Sequence, residues 1–217
     1  MANLIIYGYP ASTFVRTARM ACVEKGVPHE LDAFESFGFR SEEHRQLHPF
    51  AKMPIMRHDD VTLCETLAIC CYIDATFDGP GLMPEKLADR CRMFQWISLT
   101  NDAIYQHLVR KWIRPLLMGP EPDESSRTGM RNAARDALAC VEDRCDGDYL
   151  VSSNLSLADL FLAPILACAV DLDEDFLAGL PRLANFWAEM SSRQSFANTI
   201  SEAPVIVEVQ QAGERRV

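Results

Sequence analysis

Pro49-Phe50-Ala51-Lys52-Met53-Pro54-Ile55-Met56, followed after a turn by Leu63-Cys64-Glu65-Thr66-Leu67-Ala68-Ile69, decides how this chain folds. An apolar run opens at a proline, turns at His58-Asp59-Asp60 and returns as Val61-Thr62-Leu63-Cys64, the pattern of a β-hairpin. Pro54 has no N–H to give a ladder, so it belongs at the start of a strand or on an edge. An X–Pro bond is also the only peptide bond that turns cis at low cost, about 0.5–1 kcal/mol. A cis Met53–Pro54 bond would present the N–H and C=O of Met53 as a short open edge for an extended peptide. Glu65-Thr66 closes the return strand directly before a helical run, Leu67–Asp74. Thr66 is placed to cap that helix, whose free first-turn N–H groups suit a carboxylate, and Glu65 beside it suits an ammonium. A carboxylate and an ammonium on one α-carbon make an amino-acid head group, so the hairpin reads as a clamp for a peptide.

Upstream, Leu4-Ile5-Ile6-Tyr7 is a short buried strand closed by Gly8-Tyr9-Pro10. Ser12-Thr13-Phe14-Val15 opens a helix with Ala18, Ala21 and Cys22 on its apolar face, and Gly26 stands where helices commonly stop. Val27–Asp32 reads as a second strand, which makes a βαβ unit with parallel strands. Residues 35–47 read as a polar loop with a short helix, next to Phe34, Phe37 and Phe39. The order β-α-β-α-β-β-α with a mixed sheet is that of a thioredoxin-like α+β domain, expected over residues 1–77. Two glycines and two prolines within residues 78–84 make a linker. Residues 85–217 are expected to form an all-α helical bundle. Leu87, Cys91, Phe94, Ile97 and Ile104 keep a helical rhythm that continues through Leu108, Trp112 and Leu116. A further helix runs from about Ser125 to Arg144. Ser156 and Asp159 form a capping box with Leu155 and Leu160 as its staple, Pro164 should kink that helix or lie near its first turn, and a last amphipathic helix begins at Pro181. The tail Ser201–Val217 yields no reading.

The 217 residues are 48% hydrophobic and 24% charged, ordinary for a globular chain long enough for one large core or two small ones. A formal charge of −10 offers no footprint for nucleic acid. No segment approaches the roughly 18 apolar residues of a membrane span, and the N-terminus has no basic leader. Five of the eight cysteines (Cys22, Cys70, Cys71, Cys140, Cys168) fall in apolar helical patterns, without Cys-x-x-Cys or zinc-ligand spacing. A reducing, cytoplasmic home is the simplest account. His44 and His48 lie at i, i+4, but Pro49 follows and no third ligand is evident, so no metal is expected.

On these residues the chain resembles the cytosolic glutathione transferases, and among them the bacterial serine-type, theta- and phi-like forms. That family carries a segment close to Asn-Pro-Phe-Gly-Lys-Val-Pro-Val-Leu, then Glu-Ser-Arg-Ala-Ile. Here the order is His48-Pro49-Phe50-Ala51-Lys52-Met53-Pro54-Ile55-Met56, then Glu65-Thr66-Leu67-Ala68-Ile69. The likeness extends to the Ser156–Asp159 box. It implies glutathione as co-substrate, with Met53 pairing through its backbone with the cysteinyl unit after a cis Pro54. It also implies Glu65 and Thr66 on the γ-glutamyl group and Lys52 near the glycyl end. Arg40, Arg45 and His48 are the alternatives for the glycyl carboxylate.

In the serine-type classes a serine two residues after a proline donates to the glutathione sulfur, and Ser12 stands two after Pro10. Thr13 adjoins it, and Tyr7 is the rival donor, as in the tyrosine-type classes. By itself a serine there reads as a helix cap. The second substrate is expected among Phe14, the Phe37/Phe39 loop, Tyr105, Leu108 and Trp112, although an aromatic stripe at helical spacing also suits a core. The resemblance implies a cytoplasmic, homodimeric detoxification enzyme that conjugates the glutathione thiolate to small apolar electrophiles. The alternatives are a glutathione-dependent isomerase, dehalogenase or peroxidase, or a non-catalytic binding or regulatory protein of the same fold.

Overall fold

The computed structural model describes residues 4–145 and 148–200. They form two compact units, one reaching to Leu82 and rejoined by the segment from Gln194, the other spanning Met83–Arg193.

In the first unit β1 (Leu4–Tyr7), α1 (Thr13–Glu24) and β2 (Glu30–Asp32) build the expected βαβ, with β1 and β2 parallel. α2 (Glu42–Leu47) precedes the hairpin of β3 (Ile55–His58) and β4 (Val61–Cys64), and α3 (Thr66–Thr76) follows. The sheet order is β2-β1-β3-β4, with β3 antiparallel to both neighbours. Strand alternation divides the core. Leu4, Ile6 and Met56 are fully buried on one face, with α1 and α3 packed together over the sheet. Tyr7 and Ile55, paired in register, turn the other way into a cluster with Phe34, Phe37, Phe39 and Tyr9. Gly26, at φ 67, follows the end of α1, where the left-handed conformation suits glycine. After α3 the chain is pinned to α1: the Lys25 ammonium lies 3.3 Å from Asp74, both side chains being buried, and Asp74 accepts from the Leu82 N–H at 2.8 Å.

In the second unit α4 (Leu87–Leu99) continues through two wider, i→i+5 bonded stretches, Thr100–Ile104 and Gln106–Ile113, into α5 (Arg114–Met118). Thr100, Ile104, Leu108 and Trp112 are all buried at spacings of four, which a slightly wider turn holds on one line. The expected stripe fails at its start: Leu87 is 75% and Phe94 37% exposed and Cys91 is exposed, while Met93, Trp96 and Ile97 face inward. Two apolar stripes overlap in this helix, and the bulkier one is buried. α7 (Leu157–Leu172) packs against α4, the Gln106–Ile113 stretch and α8 (Pro181–Ser192) and is buried almost all round, while α6 (Glu124–Glu142) packs on the Gln106–Ile113 stretch and α8. Pro164 lies inside α7, well past its first turn. Trp112 stacks on Phe176 with ring centroids 4.4 Å apart.

The capping box is present: Asp159 accepts from the Ser156 N–H at 2.7 Å and the Leu150 N–H at 2.7 Å. Beyond α8, α9 (Gln194–Ala197) packs on α1, where the Arg16 guanidinium lies 4.0 Å over the Phe196 ring. All eight cysteines are free thiols; Cys140 is exposed instead of joining an apolar face. No helix among the described residues is long and apolar enough to cross a membrane. The tail Ser201–Val217 lies outside the described residues.

Candidate functional site

The Met53–Pro54 bond is cis. Met53 is half-buried, and among the described residues neither its N–H nor its C=O has a hydrogen-bond partner. These two groups are therefore available to pair with an extended peptide. Its neighbour is held in place: the C=O of Lys52 accepts from His44 Nε2 at 2.9 Å, while His44 Nδ1 accepts from the Arg40 N–H at 2.9 Å. Burial lowers the His44 pKa, which keeps the imidazole neutral, as those two opposite bonds require.

Glu65 has φ 71, a backbone conformation costly for a residue with a Cβ. Its side chain is 68% exposed, and its Oε1 lies 3.7 Å from His48 Nε2. The expectation that Thr66 caps α3 is not met. Thr66 is the buried first residue of the helix, and Glu65 holds the cap position without a side-chain bond to the helix. The first-turn N–H groups of α3 therefore carry no side-chain cap, and together with the helix dipole they suit an anion.

Ser12 sits at the N-cap of α1, where its Oγ accepts from the Val15 N–H at 3.5 Å. A hydroxyl that accepts still has a proton to give, and among the described residues the Ser12 hydroxyl donates to none. Thr13 is the first helical residue, and its C=O accepts from the Thr17 hydroxyl at 3.0 Å. Tyr7 is 5% exposed, with its ring 5.1 Å from that of Phe37.

Gly8 was invisible as a site residue in the sequence. At φ 155, a Cβ there would lie 2.3 Å from Val15 Cγ2 and 3.3 Å from Met53 Cβ. Only glycine lets α1 and the Met53 loop close onto the same point just past the end of β1.

The basic candidates are all at the surface except His48. Arg40 and Arg45 are exposed, Arg45 donating to the Arg40 C=O at 2.6 Å, and the Lys52 ammonium lies 5.6 Å from the Phe50 ring centroid. Phe14 is half-buried on α1. In the helical unit Leu108 and Trp112 are packed inside, while Tyr105 is half-buried, its phenol pushed up by burial, with the Arg110 guanidinium 5.8 Å from its ring centroid. No cluster of three metal-ligating side chains occurs among the described residues.

Comparison with known proteins agrees with this fold. The family description "Glutathione S-transferase, N-terminal domain" matches residues 6–81, and "Glutathione S-transferase, C-terminal domain" matches residues 104–194. Glutathione S-transferase Z2 of Arabidopsis thaliana is 26% identical over 206 residues, which cover 93% of this chain and 92% of that protein. The probable maleylacetoacetate isomerase of Vibrio cholerae is 27% identical over 217 residues, with 93% and 97% covered. A theta class glutathione S-transferase of Xanthomonas axonopodis pv. citri, solved with glutathione bound, shares the fold at a TM-score of 0.78 and 22% identity, over 94% of this chain and 99% of that one.

Proposed function

Because the chain belongs to the glutathione S-transferase family, we propose that the hairpin and the N-terminus of α1 form its glutathione site, and that it conjugates the glutathione thiolate to apolar electrophiles. The observation that carries this reading is the unpaired backbone of Met53 beside an uncapped helix and an exposed Glu65. The cysteinyl unit pairs with Met53 as an added strand, which brings the γ-glutamyl end to Glu65 and the first turn of α3. Its ammonium meets the Glu65 carboxylate and its carboxylate the helix N–H groups. Lys52, with Arg40 or Arg45, serves the glycyl end.

Ser12 supplies the activation. A free thiol has a pKa near 8.5, so little thiolate exists at neutral pH. A donated hydrogen bond and the positive end of α1 favour the anion over the thiol. A shift of two units takes about 2.7 kcal/mol of differential stabilisation. The thiolate then attacks an electrophile held beside it, with proximity doing the remainder. Tyr7, enclosed in the aromatic cluster, is the less suited donor.

A second reaction is favoured by the likeness to the Vibrio cholerae isomerase. The thiolate adds to a double bond conjugated to a carbonyl, the new single bond rotates, and the thiolate is expelled with the geometry changed. Retention on immobilised glutathione, followed by a panel of electrophiles, tests the reading. Consumption of glutathione marks conjugation, and turnover without consumption marks isomerisation.

Glu65→Ala is expected to weaken glutathione about tenfold to a hundredfold, since hydrogen bonds to charged groups are worth roughly 1.5–3 kcal/mol. An analogue lacking the γ-glutamyl amine should lose far less. Equal losses for both ligands, measured by calorimetry, would make Glu65 purely structural.

The exposed stripe Leu87, Cys91 and Phe94 on α4 suits a second copy of the chain related by a two-fold axis. Sedimentation should give twice the 24.4 kDa of one chain, and Leu87→Glu with Phe94→Glu should return it to a single chain. A wild-type mass of one chain at micromolar concentration would contradict the pairing. Eight free thiols fit a reducing cytoplasm as the place of action.

A further inference from the structure

His48 stands where the resembled family has asparagine, and the structure gives its two ring nitrogens separate tasks. The imidazole is 2% exposed. Nδ1 accepts from the Phe50 N–H at 3.2 Å, and this makes Nε2 the protonated nitrogen of the neutral ring. Nε2 lies 3.7 Å from Glu65 Oε1, an electrostatic contact longer than a hydrogen bond that sets the protonated nitrogen beside the exposed carboxylate. The backbone around the ring is also tied down, with the His48 N–H donating to the His44 C=O at 2.8 Å and the His48 C=O accepting from the Ala51 N–H at 2.8 Å. One side chain thus joins the loop leading into Met53 to the residue at the head of α3.

We infer that His48 is a positioning residue whose neutral ring holds Glu65 and the Phe50–Met53 loop in binding geometry, so that glutathione is released when the ring gains a proton. The inference rests on the glutathione site proposed above. Protonation places a hydrogen on Nδ1, opposite the Phe50 N–H, and that bond is lost. The resulting cation also competes with the γ-glutamyl ammonium for one carboxylate, Glu65.

The groups facing His48 set the direction of the effect. Burial lowers its pKa from the ordinary 6.5, the Glu65 carboxylate raises it, and the Lys52 ammonium lowers it. The His44 imidazole, one turn back on α2, is also neutral, and each would disfavour protonation of the other. A bound ammonium at Glu65 adds a further positive charge and lowers the His48 pKa again. The free protein therefore takes up the proton more readily than the complex. Affinity is then constant at and above the ordinary histidine value and falls only as pH drops through the lowered value of the free protein.

The probe is S-methylglutathione, whose sulfur does not titrate, bound to the full chain and followed by calorimetry. Wild type should lose about threefold or more in affinity between about pH 7.5 and pH 5. His48→Asn and His48→Gln, which keep an acceptor and a donor without a titrating ring, should lose less than about twofold over the same range. The difference between wild type and these variants removes any contribution of Glu65 itself. A flat wild-type profile, or an unchanged slope in either variant, overturns the role of His48 while leaving the site intact. No binding at pH 7.5 by wild type overturns the site and the inference with it.

Discussion

Ser12→Ala should leave glutathione bound but poorly ionised. The hydroxyl favours the thiolate over the thiol, while the tripeptide is held at Met53, Glu65 and the start of α3, so affinity changes little. The pKa of the bound thiol should rise towards the free value, and the rate at neutral pH should fall about tenfold to a hundredfold. At high pH, where the thiolate forms unaided, most of the rate should return. Tyr7→Phe should leave the pH profile almost unmoved, because that ring packs against Phe37 and Phe34 inside the aromatic cluster. Thiolate absorbance of bound glutathione against pH reads both variants. If the tyrosine variant loses the low pKa and the serine variant keeps it, Ser12 is only the cap of α1.

Asp159→Ala should cost the fold more than any change in the candidate site. The carboxyl is completely buried and takes hydrogen bonds from the Leu150 N–H, the Ser156 N–H and the Ser156 hydroxyl. Alanine leaves all three donors unpartnered, at roughly 1–3 kcal/mol each, and a total loss of about 3–5 kcal/mol is expected. The urea midpoint checks this, and a loss below about 1 kcal/mol would show that water takes over the box.

Burial pushes the Asp159 carboxyl up to about 6, with the same hydrogen bonds pulling it down. A carboxyl raised in the fold binds its proton more tightly there than in the unfolded chain. Its contribution to stability is therefore full below the ordinary carboxyl value and declines as pH rises towards about 6.

Much of this was legible from local signals. The hairpin, the cis bond before Pro54, the glycine stop after α1 and the Ser156–Asp159 box each depend on a few adjacent residues, so residue type and spacing suffice. What failed depended on backbone conformation or on partners distant in sequence. Thr66 looked like the cap of α3 because threonine caps well; nothing in the residue types shows that Glu65 takes φ 71 and occupies that position. Leu87, Cys91 and Phe94 looked like core because they keep a helical period, as Met93 and Ile97 also do. Burial was decided by which stripe meets α7. Gly8 needed Val15 and Met53 in place before its missing side chain meant anything. His44 is legible in the sequence only as a metal candidate, and His48 as a metal candidate or a partner for the glycyl carboxylate; their contacts with Lys52, Phe50 and Glu65 appear once the hairpin closes on α2.

The central claim is that Met53 and the head of α3 receive glutathione, and amide NMR locates this directly. On saturation with S-methylglutathione, the N–H signals of Met53, Thr66 and Leu67 should show the largest shifts and gain protection from hydrogen exchange. Saturation that leaves those amides unmoved, with the shifts confined elsewhere in the chain, would contradict it.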